Sequence, residues 1–258
     1  MSSPLAGKHA VVTGGGRGIG AAVARALAEQ GATLTLMGRD HGRLDAQAQA
    51  LASAPEIHTL RVDVANADSV QDAFARAQAN AGPVQILINN AGAAESAPFA
   101  RTDLALWMRM LDVNLTGTYL CCRQVVPGML ERGFGRVVNI ASTAGLTGYA
   151  YVTAYCAAKH GVVGLTRALA LETARSNVTV NAVCPGYTDT DMLSEAVANI
   201  VRKTGKTEAE ARAALTAHNP QQRVMRPEEV ANTVLWLCLP GAEAITGQAI
   251  AVAGGEVL

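Results

Sequence analysis

The chain has 258 residues, of which 50% are hydrophobic and 16% charged, with 21 basic and 21 acidic side chains. So apolar a composition excludes a disordered protein, and a formal net charge of zero leaves no surplus of cations to neutralise a nucleic-acid backbone. A chain of this length commonly folds as one α/β domain.

Short apolar segments of strand length alternate with helical segments such as 21–30 and 68–80. The strand segments are apolar on both faces, which is typical of a parallel sheet covered by helices on each side. The pattern therefore predicts a doubly wound, Rossmann-like α/β fold in one domain, 1–258. The predicted strands, about seven in number, are residues 9–13, 33–37, 57–62, 84–88, 136–140, 179–183 and 248–252.

One connection, 188–226, is much longer than a strand-to-helix link requires, and its middle, 194–215, has helical character. Long connections inside compact domains are usually binding loops or lids. The sequence therefore predicts a substrate lid at this point.

The cysteines are odd in number and show no metal-ligand spacing, so we expect buried free thiols, a reducing compartment and no metal site. The uncharged segment 137–158 contains several polar residues and glycines, which excludes a lipid-facing helix. The first eight residues lack the apolar core of a signal peptide. We therefore expect a cytoplasmic protein without a membrane partner. The cysteines are Cys121, Cys122, Cys156, Cys184 and Cys238.

A glycine-rich turn follows the first strand and opens a helix. Glycines there permit a tight turn and the close approach of a pyrophosphate, and the helix N-terminus favours an anion. The turn lacks the G-K-[ST] ending of a P-loop, which disfavours a nucleoside triphosphatase. The residues predicted to hold a dinucleotide here are Gly14, Gly16, Arg17, Gly18, Ile19 and Gly20.

Four motifs in the same order make the chain resemble the short-chain dehydrogenase/reductase family along essentially its whole length. The resemblance is nearest to β-ketoacyl thioester reductases and polyketide ketoreductases. The motifs are Gly14-x-x-x-Gly18-x-Gly20, Asn89-Asn90-Ala91-Gly92, Tyr155-Cys156-Ala157-Ala158-Lys159 and Pro185-Gly186.

Tyr155 and Lys159 are four residues apart, so a helix places them on one face. A nearby ammonium is expected to lower the pKa of the phenol and prepare it for proton transfer. Ser142 follows a predicted strand at the edge where α/β sheets bind ligands, and its hydroxyl can hold the substrate oxygen. The resemblance adds Asn114 as the fourth catalytic residue, through a bound water, and gives Lys159 a second role on the nicotinamide ribose. His160 lies off this face and is interpreted as structural.

The second strand ends at Gly38, where an acidic residue would select NAD. Arg39 follows it, and with Arg17 it offers guanidinium groups that suit a 2′-phosphate. We therefore expect NADP(H), with NAD(H) possible, because Asp40 is close; Asp40 is expected to cap the next helix.

The resemblance also assigns residues along the rest of the cofactor. Asp63 and Val64 are expected beside the adenine. For Thr190, a helix N-cap is the alternative to a cofactor contact. The other expected cofactor residues are Asn90, Ala91 and Gly92 near the ribose, with Pro185, Gly186, Thr188 and Thr190 on the nicotinamide side.

The substrate pocket is expected to be lined by 93–99, 143–151, Tyr187, Met192 and Leu193, which are mostly apolar. It suits a ketone or secondary alcohol with an apolar portion. The resemblance implies a 3-oxoacyl thioester, carried by CoA or a carrier protein. An NAD-dependent 3-hydroxybutyrate-type or other alcohol dehydrogenase is the alternative, and a non-catalytic NADP-binding sensor or scaffold is a third class.

Two further expectations concern partners. If a carrier protein delivers the substrate, the resemblance puts its contact near Arg132 and Arg175. The segments 103–132 and 151–175 carry more apolar residues than one sheet face can cover. The resemblance makes them the interfaces of a homotetramer.

Overall fold

A seven-stranded parallel sheet forms the centre of the computed structural model, which describes residues 3–51 and 55–257. The predicted doubly wound fold is confirmed. The strand order is β3-β2-β1-β4-β5-β6-β7. Residues 1–2, 52–54 and 258 of the predicted domain lie outside the described residues. The strands are β1 His9–Thr13, β2 Thr33–Gly38, β3 Ile57–Arg61, β4 Ile86–Asn89, β5 Gly135–Ile140, β6 Val178–Pro185 and β7 Ala249–Val252.

Helices cover both faces of this sheet. Residues from α1 and α9 bury one face, and residues from α3, α5 and α6 bury the other. The strands are therefore apolar on both sides, as the sequence predicted. The helices are α1 Gly18–Glu29, α2 His41–Ala50, α3 Ala67–Ala81, α4 Leu104–Leu111, α5 Gly117–Arg132, α6 Thr153–Thr173, α7 Asp191–Thr204, α8 Glu208–Thr216 and α9 Pro227–Cys238.

The strand order reverses beside β1, which pairs with β2 on one side and with β4 on the other. The connections after β1 and β4 therefore leave in opposite directions and open a crevice at the carboxyl edge of the sheet. Ligands of open α/β sheets bind in such a crevice. The glycine turn, Ser142 and the end of β6 all lie at this edge because each follows the end of a strand.

The long connection 188–226 departs from its predicted form. Its helical middle is two helices, α7 and α8, because Gly205 adopts a φ of +71° and ends the first one. Thr207 and Glu210 then form a reciprocal capping box that begins the second. The two ends of the connection meet in a parallel bridge between Thr188 and Met225, so the connection is closed at its base.

The segment 103–132, whose pattern is helical along its length, is interrupted in the structure. Asp103 is the N-cap of α4, and its carboxylate accepts a hydrogen bond from the Leu106 N–H. A π-helical turn, Asp112–Thr116, separates α4 from α5. Across the described residues, no helix combines the length and the apolar character that crossing a membrane requires.

Candidate active site

The structure brings the four predicted catalytic residues to one place at the carboxyl edge of the sheet. Ser142 follows β5, Tyr155 and Lys159 lie on α6, and Asn114 lies in the π-helical turn. The Ser142 hydroxyl lies near the Tyr155 phenol and lowers its pKa. The Lys159 ammonium nitrogen lies 5.7 Å from the centre of the Tyr155 ring. The arrangement can therefore hold an oxygen atom between a hydroxyl and a phenol, with a cation behind them.

The pKa of Tyr155 moves in the direction opposite to the expectation. Burial raises it to about 12, and the nearby Ser142 hydroxyl offsets only part of that increase. The prediction of a lowered pKa was wrong for this arrangement because removal from water disfavours the phenolate more than the surrounding groups favour it. Tyr155 is consequently a neutral phenol at pH 7, which is the form that donates a proton.

Lys159 is a buried cation with a single protein acceptor. Its Nζ donates to the Ile140 carbonyl oxygen at 2.8 Å, and burial lowers its pKa to about 8. Holding a charge there opposes folding, so the site carries an energetic cost that an apolar side chain would avoid. The neighbouring His160 is exposed, and its Nδ1 lies 2.9 Å from the Cys156 carbonyl oxygen, as a structural histidine would.

Asn114 fixes the segment after β4. Its amide nitrogen donates to the carbonyl oxygens of Ala93 and Met110, each at 2.9 Å, and its amide oxygen accepts from the Ala93 N–H at 3.2 Å. These bonds use the π-helical turn, where the regular helix ladder is interrupted; such turns are frequent at functional sites. A β-carbon at Gly92 would lie 2.9 Å from the Asn114 Oδ1 and 3.7 Å from the Lys159 Nζ. Gly92 thus permits this close packing.

The glycine turn forms a cradle that a β-carbon would fill. Gly14 and Gly18 adopt φ values of +65° and +52°, and a β-carbon at Gly20 would lie closer than van der Waals contact to the Gly14 carbonyl oxygen. The first N–H groups of α1 begin directly after this turn, where a pyrophosphate is favoured. The residues present therefore fit a dinucleotide. Ile19 packs against the core, and Gly16 packs against the backbone of Arg43.

The cradle is tied to the end of β4. The Asn90 side chain donates to the Thr13 and Gly14 carbonyl oxygens at 3.0 and 3.1 Å. The Thr13 hydroxyl accepts the N–H groups of Asn90 and Ala91. Asn90 thus holds the turn in shape, in addition to the expected place near the ribose.

The end of β6 lies on the other side of the cradle. Pro185 is the last residue of the strand, and the Gly186 N–H donates to the Val252 carbonyl oxygen. Thr190 precedes α7, but its hydroxyl donates to the Thr188 carbonyl oxygen and does not cap the helix. A β-carbon at Gly18 would lie 3.0 Å from the Thr190 methyl group. Thr190 therefore borders the cradle, and its contact with a cofactor stays a prediction.

Near the end of β2, where Arg17 and Arg39 are expected to bind a 2′-phosphate, lies a third arginine, Arg43, that the sequence analysis missed. Arg17 and Arg43 both bind the Asp191 carboxylate, at 2.5 and 3.0 Å, and thereby join the cradle and α2 to the start of α7. The Asp40 carboxylate accepts the Arg43 N–H as the expected cap. Arg39 is exposed beside them. The sequence did hold a signal for Arg43. It lies three residues after the helix N-cap Asp40, in the first turn of α2, and therefore close to the end of β2.

Asp63 and Val64 follow β3 at the same edge. The Asp63 carboxylate accepts the Ala65 N–H at 3.1 Å, which forms a local turn. Val64 is buried and packs against Gly117 of α5. Their predicted place beside an adenine remains a prediction.

The segments expected to line a substrate pocket contact one another. Asn199 of α7 donates to the Ser96 hydroxyl at 3.1 Å, which joins the connection 188–226 to 93–99. Leu193 packs with Tyr187 in a small apolar cluster that includes residues of α7 and α8, and Met192 is exposed beside it. The Tyr149 hydroxyl lies 2.9 Å from that of Thr143 in 143–151.

The arginines expected at a carrier-protein contact lie away from Ser142 of their own chain. Arg132 ends α5 just before β5, and Arg175 follows α6 just before β6. Both therefore lie at the amino edge of a parallel sheet, whereas Ser142 lies at the carboxyl edge, because a crossover helix returns the chain to the far edge of the sheet. The carrier-protein contact stays a prediction.

The family model described as short chain dehydrogenase matches residues 8–200. The chain belongs to this family. The 3-oxoacyl-(acyl-carrier-protein) reductase FabG of Aquifex aeolicus is 37% identical over 257 residues, which is 99% of each chain. The cis-4-hydroxycyclohexanecarboxylate dehydrogenase of Sinomonas cyclohexanicum is 38% identical over 256 residues, 99% of this chain and 98% of its own length. A crystal structure of a variant actinorhodin polyketide ketoreductase with NADPH superimposes with a TM-score of 0.93, at 39% identity and 99% coverage of both chains.

The family match and these relatives make the chain an oxidoreductase that acts on ketone or secondary-alcohol groups. The relatives are named for both neutral and carboxylate-bearing substrates, so family membership leaves the substrate open.

Proposed function

We propose that the chain reduces the ketone of a 3-oxoacyl thioester with NADP(H). The observation that carries the proposal is the grouping of Ser142, Tyr155 and Lys159 at the carboxyl edge of the sheet, beside the glycine cradle. The reductase and ketoreductase relatives support the same substrate class.

The chain's own residues supply orientation and a proton. Ser142 and Tyr155 hold the ketone oxygen by two hydrogen bonds, which fixes the carbonyl plane. A nicotinamide cofactor held by the glycine cradle would supply the hydride that the carbonyl carbon takes up. The oxygen then gains charge and takes the phenolic proton of Tyr155. Lys159 stabilises the phenolate that remains, and Asn114 keeps the adjoining segment 92–93 in place.

The preference for NADP(H) rests on the charges at the end of β2. Gly38 presents no carboxylate to repel a 2′-phosphate, the exposed Arg39 follows it, and Arg17 and Arg43 lie close enough together to share the Asp191 carboxylate. Arg17 and Arg43 already bind one anionic group, the Asp191 carboxylate, which shows the chemistry they provide. NAD(H) remains a possible second cofactor.

A substrate panel tests the proposal. Acetoacetyl-CoA, carrier-bound 3-oxoacyl thioesters, 3-hydroxybutyrate and simple ketones are each assayed with NADPH, NADP, NADH and NAD. The highest kcat/KM is expected for a 3-oxo thioester with NADPH. A preference for 3-hydroxybutyrate with NAD would instead favour the hydroxybutyrate-type alternative. Tight cofactor binding without turnover of any ketone would favour the sensor or scaffold class.

We further propose the homotetramer. Leu104, Met108, Tyr119 and Leu171 are large apolar side chains exposed on α4, α5 and α6, and apolar surface of this kind marks interfaces. Sedimentation at micromolar concentration tests it, and a mass near that of one chain would contradict it. In such an assembly we place Arg132 and Arg175 beside the site of another subunit, where a carrier protein would contact them.

A further inference from the structure

Glu256 places a carboxylate beside the predicted substrate pocket. It follows β7, and its Oε1 accepts a hydrogen bond from the Tyr149 hydroxyl at 2.6 Å. Its Oε2 approaches the end of β6 closely, since a β-carbon at Gly186 would lie 2.8 Å away. Glu256 therefore joins the end of β6 to the segment 143–151.

Two hydrogen bonds connect Glu256 to the residue next to Ser142. The Tyr149 phenol has one proton and gives it to the carboxylate, so the contact at 2.9 Å between Tyr149 and Thr143 uses the Thr143 proton. The pKa of Tyr187, another residue expected in the pocket, is raised by burial and by the charge of Glu256. Because Thr143 follows Ser142 directly in the chain, Glu256 lies close to the candidate catalytic residues, beside the predicted pocket segment 143–151.

The carboxylate carries an uncompensated negative charge. Other acids near the pocket mouth are paired with arginines: Glu95 with Arg109, Asp189 with Arg212 and Asp191 with Arg17. Within residues 3–51 and 55–257, no basic side chain lies within ion-pair distance of Glu256. Its partner is a phenol, Tyr149, whose pKa is raised by burial and by this hydrogen bond, so that it stays a neutral donor.

We propose that Glu256 is a specificity-determining residue that excludes ketones bearing a carboxylate near the reacting carbon and admits neutral or cationic ones. The inference rests on the proposed ketone reduction and narrows its substrate class. A substrate anion in this pocket would face Glu256 across partly desolvated protein, where like charges repel more strongly than in water. An ester, thioester or alkyl ketone avoids this repulsion.

The test compares ketones that share a reacting group and differ in charge. Acetoacetate is paired with methyl acetoacetate, and acetoacetylcholine with its uncharged isostere 3,3-dimethylbutyl acetoacetate. Wild-type kcat/KM should be at least about tenfold higher for methyl acetoacetate than for acetoacetate. Glu256→Gln keeps an acceptor for Tyr149 but removes the charge. It should raise kcat/KM for acetoacetate by roughly tenfold, lower it for acetoacetylcholine, and leave both neutral esters within about twofold.

Two variants separate charge from structure. Glu256→Asp keeps the charge and should keep the wild-type order of substrates. Tyr149→Phe removes the hydrogen bond, keeps the charge and should also keep that order. A wild-type preference for acetoacetate would overturn the inference, as would a Glu256→Gln variant that changes all four substrates in the same direction. If wild type reduces none of the four esters and acids and no thioester, the proposed function itself fails and the inference fails with it.

Discussion

The candidate catalytic residues and the arginines near the end of β2 differ in how far their charges are exposed to solvent. Lys159 is buried at 5% exposure, and its pKa falls to about 8 because the surrounding protein excludes water. Arg17 and Asp191 are each 54% exposed, and their ion pair is open to solvent and salt. A positive charge therefore opposes folding and has a shifted pKa in the first region, whereas in the second region it costs little free energy and can change its anionic partner. The first region suits proton transfer, and the second suits reversible binding of an anion.

The strongest test of the buried region removes one oxygen atom. Tyr155→Phe keeps the ring but loses the proton that the reduced oxygen requires, so kcat should fall by at least about 100-fold. NADPH binding, measured by fluorescence titration, should stay within about threefold of wild type. Ser142→Ala is the matched comparison, because it removes the other hydrogen bond to the substrate oxygen but leaves the proton. Turnover of Tyr155→Phe within a few fold of wild type would remove Tyr155 from the reaction.

The exposed region is tested through cofactor choice. Arg39→Ala removes one guanidinium from the position expected for the 2′-phosphate. A hydrogen bond between charged groups contributes about 1.5–3 kcal/mol, so the KM for NADPH should rise roughly ten- to a hundredfold while that for NADH changes little. Equal effects on both cofactors would show that Arg39 does not contact the phosphate.

Gly38→Asp sharpens the same test. A β-carbon at Gly38 would lie 3.5 Å from the Leu44 side chain, which is ordinary contact, so the substitution fits the fold. The new carboxylate would repel the 2′-phosphate and accept a hydrogen bond from a free 2′-hydroxyl. The ratio of kcat/KM for NADPH over NADH should reverse. A higher kcat/KM of wild type with NADH than with NADPH would contradict the cofactor proposal directly.

The stability of the buried region gives a third prediction. In the folded protein burial lowers the pKa of Lys159 to about 8, below the usual lysine value of 10.5. The folded state therefore loses the lysine proton first as pH rises, and wild-type stability increases between those two values. At pH 7 the buried ammonium costs about 3 kcal/mol, against about 1 kcal/mol gained from its bond to Ile140.

Lys159→Met should consequently be inactive but more stable than wild type by about 2 kcal/mol at pH 7. The difference in the free energy of unfolding between the variant and wild type should shrink by roughly the same amount at pH 9.5, because Lys159 in folded wild type is then largely neutral. Urea unfolding at both pH values measures it. Lys203→Met is the control because Lys203 is exposed on α7. It should show neither the gain in stability nor its pH dependence. A destabilised Lys159→Met at pH 7 would show that the ammonium stabilises the fold.

The two regions also differ in how far the sequence predicted them. The sheet, the glycine turn and the Tyr155–Lys159 pair were predicted because each is a local pattern: short continuous apolar segments, a fixed motif and a four-residue helical spacing. The pKa of Tyr155 was predicted in the wrong direction, because burial depends on what packs around the ring and no local pattern reports it. Arg43 and Glu256 were missed since their partners lie 148 and 107 residues away in the chain.

The smallest expected effect concerns Asp191, which binds two of the arginines proposed for the phosphate. Asp191→Asn removes the charge that competes for Arg17 and Arg43, so NADPH should bind about two- to fivefold more tightly, the scale of an exposed ion pair. NADH has no 2′-phosphate and should bind as before. The gain should shrink in 0.5 M NaCl, because exposed charges are screened within a few ångströms at that ionic strength. Asp189→Asn is the matched control, since Asp189 pairs with Arg212 of α8, within the connection 188–226, and not with an arginine proposed for the phosphate. Weaker NADPH binding by Asp191→Asn would instead show that the carboxylate positions the arginines for the phosphate. Equal changes in the affinity for NADPH and for NADH would show that Asp191 acts through the position of α7 and not through the phosphate.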